Sequence, residues 1–93
     1  MPGPLDGVRI LDLTSMISGP TTTMILADQG ADVIKVENPN GGDHTRAVST
    51  SRNGFSASFV NNNRNKRSIT LNLKDPRGVD IVKRLSRDAD VIV

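Results

Sequence analysis

The residues best placed to do chemistry lie between apolar runs. Thr14-Ser15-Met16-Ile17-Ser18-Gly19-Pro20-Thr21 follows one such run and opens a helical pattern, so the free N–H groups of the helix start, with the Ser18 and Thr21 hydroxyls, could attract an anion or simply form an N-terminal cap. Asn61-Asn62-Asn63-Arg64-Asn65-Lys66-Arg67 joins three cations to four amides, which could grip phosphates or a carboxylate, or form a solvated charge run. Glu37 stands where a dinucleotide-binding fold keeps its ribose-binding acid, yet the turn before it has no G-x-G-x-x-G, and Gly41-Gly42 belongs to no P-loop. Asp6 and Asp28 read as turn and helix-surface residues. Asp12 differs, because it sits in an apolar strand pattern where a buried carboxylate requires hydrogen bonds. His44 reads as an exposed loop residue, and composition alone supports no Ser-His-Asp triad.

The elements that position these residues alternate. Val8, Ile10, Leu11 and Leu13 form a short apolar strand run. A helix of about ten residues follows, with Pro20 in its first turn and Gly30 at a left-handed cap. Asp32 to Glu37 makes a second strand, and strand, helix and strand in this order form a right-handed βαβ unit with parallel strands. Asn38 to Asp43 is a loop, and Phe55 to Val60 reads equally as a helical turn or an edge strand. Ile69, Leu71 and Leu73 alternate with Thr70 and Asn72, which predicts a third strand. Asp75-Pro76 starts a second helix, with Ile81, Val82, Leu85 and Ala89 on one side and Lys83, Arg84 and Arg87 near its negative end. Asp90 to Val93 repeats the pattern of Asp32 to Val36 and predicts a further buried parallel strand.

Composition narrows the function classes. The 93 residues are 35% hydrophobic and include two Phe but no Trp, Tyr or Cys, so the apolar layer rests on Val, Ile, Leu and Ala. Disulfides and thiolate metal sites are excluded, and one histidine offers no imidazole cluster, so no metal site is expected. Net charge is +2, too small to imply nucleic acid, and no aromatic residue interrupts the basic run to stack bases. Residues 1 to 43 carry six acids and two bases, and residues 44 to 93 carry four acids and ten bases, which suggests an electropositive edge. No apolar run has the ~18 residues of a membrane span, and the first residues lack the pattern of a leader, so a soluble, cytoplasmic protein is expected. The pattern ends on a strand without the loop that carries ligands in open α/β sheets, so a fragment is expected.

Five blocks, taken in order, resemble the class III CoA-transferases of the CaiB/BaiF type, which include formyl-CoA transferase and crotonobetainyl-CoA:carnitine CoA-transferase. They are Pro4 to Thr14, Gly19-Pro20, Leu26 to Glu37, Gly41-Gly42-Asp43 with Arg46, and Asn63 to Gly78. The resemblance implies an α/β, parallel-sheet, Rossmann-like domain, of which residues 1 to 93 would be the amino-terminal part, and an interlocked homodimer. It implies an aspartate that attacks an acyl-CoA thioester and passes CoA to an acceptor carboxylic acid. That aspartate would lie beyond Val93, so no catalytic residue is expected within the chain. Coenzyme A or acyl-CoA would be a substrate, with no tightly bound cofactor. By similarity, Ile17, Ser18, Asn38, Leu71, Asn72, Leu73 and Lys74 match CoA-contacting positions. The chain departs from formyl-CoA transferase at Ser15 to Ser18, where that enzyme has His-x-Gln-Ala, and at Asn38, where it has Arg, so its acyl preference does not carry over. The related α-methylacyl-CoA racemases share the first blocks, with a shorter link before the Lys66-Arg67-Ser68 strand, and a non-enzymatic anion-binding module is the remaining alternative.

Overall fold

The computed structural model describes residues 3–47, 51–52 and 55–93. Four parallel strands form one sheet: β1 (Arg9–Asp12), β2 (Asp32–Glu37), β5 (Lys66–Thr70) and β6 (Val91–Ile92), in the order β5-β2-β1-β6. Short strands β3 (Ser51–Arg52) and β4 (Phe55–Ser56) pair antiparallel in a separate two-stranded sheet. Helix α1 (Ser18–Asp28) connects β1 to β2, and α3 (Pro76–Arg87) connects β5 to β6. This is the expected α/β architecture with parallel strands.

Alternating side chains divide the sheet between the two helices. Ile10 and Val33 join Ala27 and Ala31 on the α1 side, whereas Leu11, Val36 and Leu71 meet Ile81, Val82 and Leu85 of α3 on the other. Gly30 closes α1 with φ 103°, the left-handed conformation its position calls for. At the start of α3 the Asp75 side chain accepts the Arg77 N–H and Pro76 occupies the first turn, as the sequence pattern predicts. Helix α2 (Ala57–Asn62), capped by Ser56, resolves the Phe55 to Val60 ambiguity: the piece is two strand residues followed by a helical turn.

Two expectations need correction. The third strand ends at Thr70, not Leu73, because its partner β2 stops at Glu37; the Leu71 N–H makes one more bond, to the Glu37 carbonyl, and Asn72 then turns the chain by accepting the Lys74 N–H at 3.0 Å. The strand also begins earlier, at Lys66, whose ammonium is buried in an ion pair. The final strand is an edge, not a buried element: Val91 and Ile92 are 43% and 55% exposed, since β1 is its only partner among the described residues. No helix among the described residues is long and apolar enough to cross a membrane.

Candidate functional site

The carboxyl ends of β1, β2 and β5 open onto a cavity of about 360 Å³, within the size range of small-molecule sites and at the sheet edge where α/β folds hold ligands. Leu13, Thr14 and Ser15 contribute one wall; Val36 to Asn40 and Asp43 another; Asn72, Leu73 and Lys74 the third. A smaller, polar hollow of about 210 Å³ lies beside it, with Glu37, Gly42, Arg46 and Ser68 in its lining.

Below the cavity, the α1 side of the sheet changes from apolar to charged. Alternation from Ile10 brings Asp12 to this side, and alternation from Val33 brings Lys35 and Glu37; Lys66 lies opposite Val33 in the register. Asp12 is fully buried. It accepts the Thr14 N–H at 2.8 Å, the Thr14 hydroxyl, the Thr23 hydroxyl at 2.7 Å and Lys66 Nζ at 3.0 Å. Burial pushes its pKa up, but the Thr14 and Thr23 hydrogen bonds and Lys66 outweigh burial and hold it below the usual value. For Lys66, burial dominates and lowers the pKa in spite of Asp12. This is the hydrogen-bond set that a carboxylate in an apolar strand requires.

A second buried pair stands next to the first. Lys35 Nζ lies 2.8 Å from Asp43 Oδ2, with the two side chains 1% and 0% exposed, and also donates to the Thr14 carbonyl at 3.1 Å. Asp43 Oδ1 accepts from the Thr45 N–H and hydroxyl and from the Met16 N–H. Burial raises the Asp43 pKa, but Lys35 and these donors bring it well below the ordinary carboxylate range. Glu37 is gripped by Arg46 through two 2.8 Å hydrogen bonds and also accepts from the Ser68 hydroxyl and the Asp43 N–H. Arg46, ahead of the opposing effect of burial, lowers the Glu37 pKa to about 2. The Arg46 guanidinium in turn lies 3.7 Å from the Phe59 ring centroid.

These pairs alter the reading of the basic run. Arg64 bonds Asp28, Lys66 bonds Asp12, and Arg67 bonds Asp32. All three cations pair with acids from the first half of the chain, so this run forms no anion grip. Lys74 is different: it is exposed at the cavity wall, with no ion partner among the described residues. His44 is exposed, as expected; its N–H donates to Ser15 Oγ at 3.3 Å.

Of the seven positions expected to contact CoA, Asn38, Asn72, Leu73 and Lys74 line the cavity. Asn38 also orders its own loop, accepting the Asn40 N–H and donating to the Gly42 carbonyl. Ile17 and Ser18 lie just beyond the Thr14-Ser15 wall, at the start of α1, which has no side-chain cap. Leu71 is buried beneath α3 and is not part of the lining. Sequence reasoning passed over Lys35 and Asp43 as individual groups. Lys35 was detectable, because it shares the period-two face of the buried Val33 and therefore needs a counter-ion.

Residues 5–93 match the profile of CoA-transferase family III, and the chain belongs to that family. It is 56% identical over 91 residues to the succinyl-CoA:glutarate CoA-transferase of Mus musculus, covering 97% of this chain and 21% of the relative. It is 52% identical over 90 residues to the formyl-CoA:oxalate CoA-transferase of Rhodopseudomonas palustris (strain BisA53), covering 96% of this chain and 21% of the relative. The crystal structure of a CAIB/BAIF family protein from Brucella suis superposes with a TM-score of 0.90 at 40% identity, covering 99% of this chain and 25% of that one. The chain thus spans about a fifth of the length of these curated relatives.

Proposed function

We propose that the protein carrying this chain transfers CoA between an acyl-CoA and a carboxylic acid, and that these residues shape part of its CoA pocket. The observation that carries the reading is the convergence of three strand ends on one cavity lined by Lys74, a cation with no ion partner among the described residues. Backbone and apolar groups of the wall can pack against the carrier, and the Lys74 ammonium suits a phosphate. Membership of the family supports the reaction class. Ile17, Ser18, Asn38, Leu71, Asn72, Leu73 and Lys74 are the proposed CoA contacts, with Leu71 acting through its backbone.

The reaction follows from thioester chemistry. An aspartate carboxylate outside these 93 residues attacks the thioester carbonyl, forming a mixed anhydride and expelling the CoA thiolate. The thiolate attacks the aspartyl carbonyl, releasing the donor acid and leaving an aspartyl-CoA thioester. The acceptor carboxylate repeats the sequence in reverse and leaves as the new acyl-CoA. Asp12 and Asp43 are unsuited to the nucleophile's role, since each is buried, ion-paired and engaged by several donors. An interlocked homodimer and a cytoplasmic location belong to the same proposal.

Full-length protein should exchange CoA across a panel of acyl-CoA donors and acids, and hydroxylamine should trap an acyl-aspartate. Absence of exchange with every acceptor rejects the reading. Deuterium exchange at the α-carbon of a 2-methylacyl-CoA without acceptor acid would assign a racemase instead.

A further inference from the structure

Lys35 and Asp43 grip the turn between β1 and α1 from two sides. Lys35 holds the Thr14 carbonyl at 3.1 Å, Asp43 Oδ1 holds the Met16 N–H at 3.2 Å, and the His44 N–H reaches the Ser15 hydroxyl between them. Met16 has φ 76°, a left-handed backbone that a non-glycine residue keeps only where its surroundings over-determine it. Thr14, Ser15 and Asp43 all line the cavity.

Stability alone gives little reason for this arrangement. Two charges are withdrawn almost completely from water, and an apolar pair of similar volume commonly stabilises a fold as well or better. An apolar pair, however, can hold neither a carbonyl nor an N–H. The neighbouring Asp12–Lys66 pair engages the same turn through the Thr14 N–H, so the two pairs together fix its backbone.

We propose that the buried Lys35–Asp43 pair is a positioning device that holds Thr14, Ser15 and Met16 in the shape the CoA pocket requires. This deepens the proposed function and rests on it. A wall fixed before binding lowers the ordering cost of association, so loosening the turn weakens affinity without removing any group that reacts.

Two charge-neutral double variants of the full-length protein separate this role from mere stabilisation. In Lys35→Met/Asp43→Leu neither grip remains, whereas Lys35→Met/Asp43→Asn keeps an oxygen for the Met16 N–H. The first should raise hydrogen exchange at Met16 and the Kd for CoA about tenfold each, and the second should raise both about threefold. If the Leu variant does not fold, the Asn variant decides by the same criteria. Wild-type exchange at Met16 and wild-type CoA affinity in the folded variants, whatever their melting temperatures, would overturn the proposal. Failure of the wild-type protein itself to bind CoA would refute the CoA reading separately, and Met16 exchange in the variants would then decide whether the pair fixes the turn.

Discussion

Lys66→Met tests whether the interior charges are structural. Lys66 and Asp12 are 2% and 0% exposed, and removing one partner of a buried pair costs roughly 3–5 kcal/mol. Asp12 would keep its Thr14 and Thr23 donors, which favours the lower end. The Pro20 carbonyl and Asn63 Oδ1 would each lose a donor, adding about 1 kcal/mol apiece. The expected loss at pH 7 is therefore about 5 kcal/mol. Its pH dependence has a definite sign. In the wild type the Asp12 pKa is lowered, so its contribution is present above the unfolded value and is lost in acid. Without Lys66 one of the causes that hold the Asp12 pKa down is gone, so less of that acid-labile contribution is left to lose and the variant's deficit shrinks as pH falls. Thermal and urea unfolding at pH 7 and pH 4 measure both effects. A deficit below about 1 kcal/mol, or one that grows in acid, refutes the reasoning.

Arg46→Met should remove the main cause of the low Glu37 pKa. Because the folded value of about 2 lies below the ordinary value of 4.5, the Glu37 contribution to wild-type stability should fall by roughly 2 to 3 kcal/mol as pH drops from 4.5 to 2, and the variant's acid titration should show much less of that loss. Gly78→Ala would place a Cβ 2.0 Å from the Asn72 carbonyl oxygen; unfolding should show a cost of about 1 to 3 kcal/mol, and CoA titration a weaker affinity as Asn72 to Lys74 move. Lys74→Ala, at an exposed position, should leave the melting temperature within about 1 °C while raising the KM for acyl-CoA roughly tenfold.

Much of the fold was legible because its local signals are strong. The β-branched residues of Asp32 to Glu37, Gly30 after α1 and the Asp75-Pro76 start of α3 each specify their element within a few residues. What was hidden depends on which strands become neighbours. Lys66 meets Asp12 across 54 residues of chain only because β5 lies beside β2 and β2 beside β1. A charge run read along the chain therefore resembled a ligand site, although its cations serve the interior and the sheet margin. The end of β5 was misplaced for the same kind of reason: apolar alternation continues to Leu73, but hydrogen bonding stops where β2 has no further carbonyl to offer. The cavity wall contains Asn38 and Asn72 to Lys74, four positions that family resemblance had singled out, and its Thr14-Ser15 portion belongs to the turn that the opening motif had marked.

The central claim is that three strand-end segments together receive CoA. Hydrogen exchange of the full-length protein with and without saturating CoA tests it most directly. Protection is expected together in residues 13–18, 37–40 and 71–74, with the outer face of α3 unchanged. CoA binding that leaves all three segments unprotected would contradict the account.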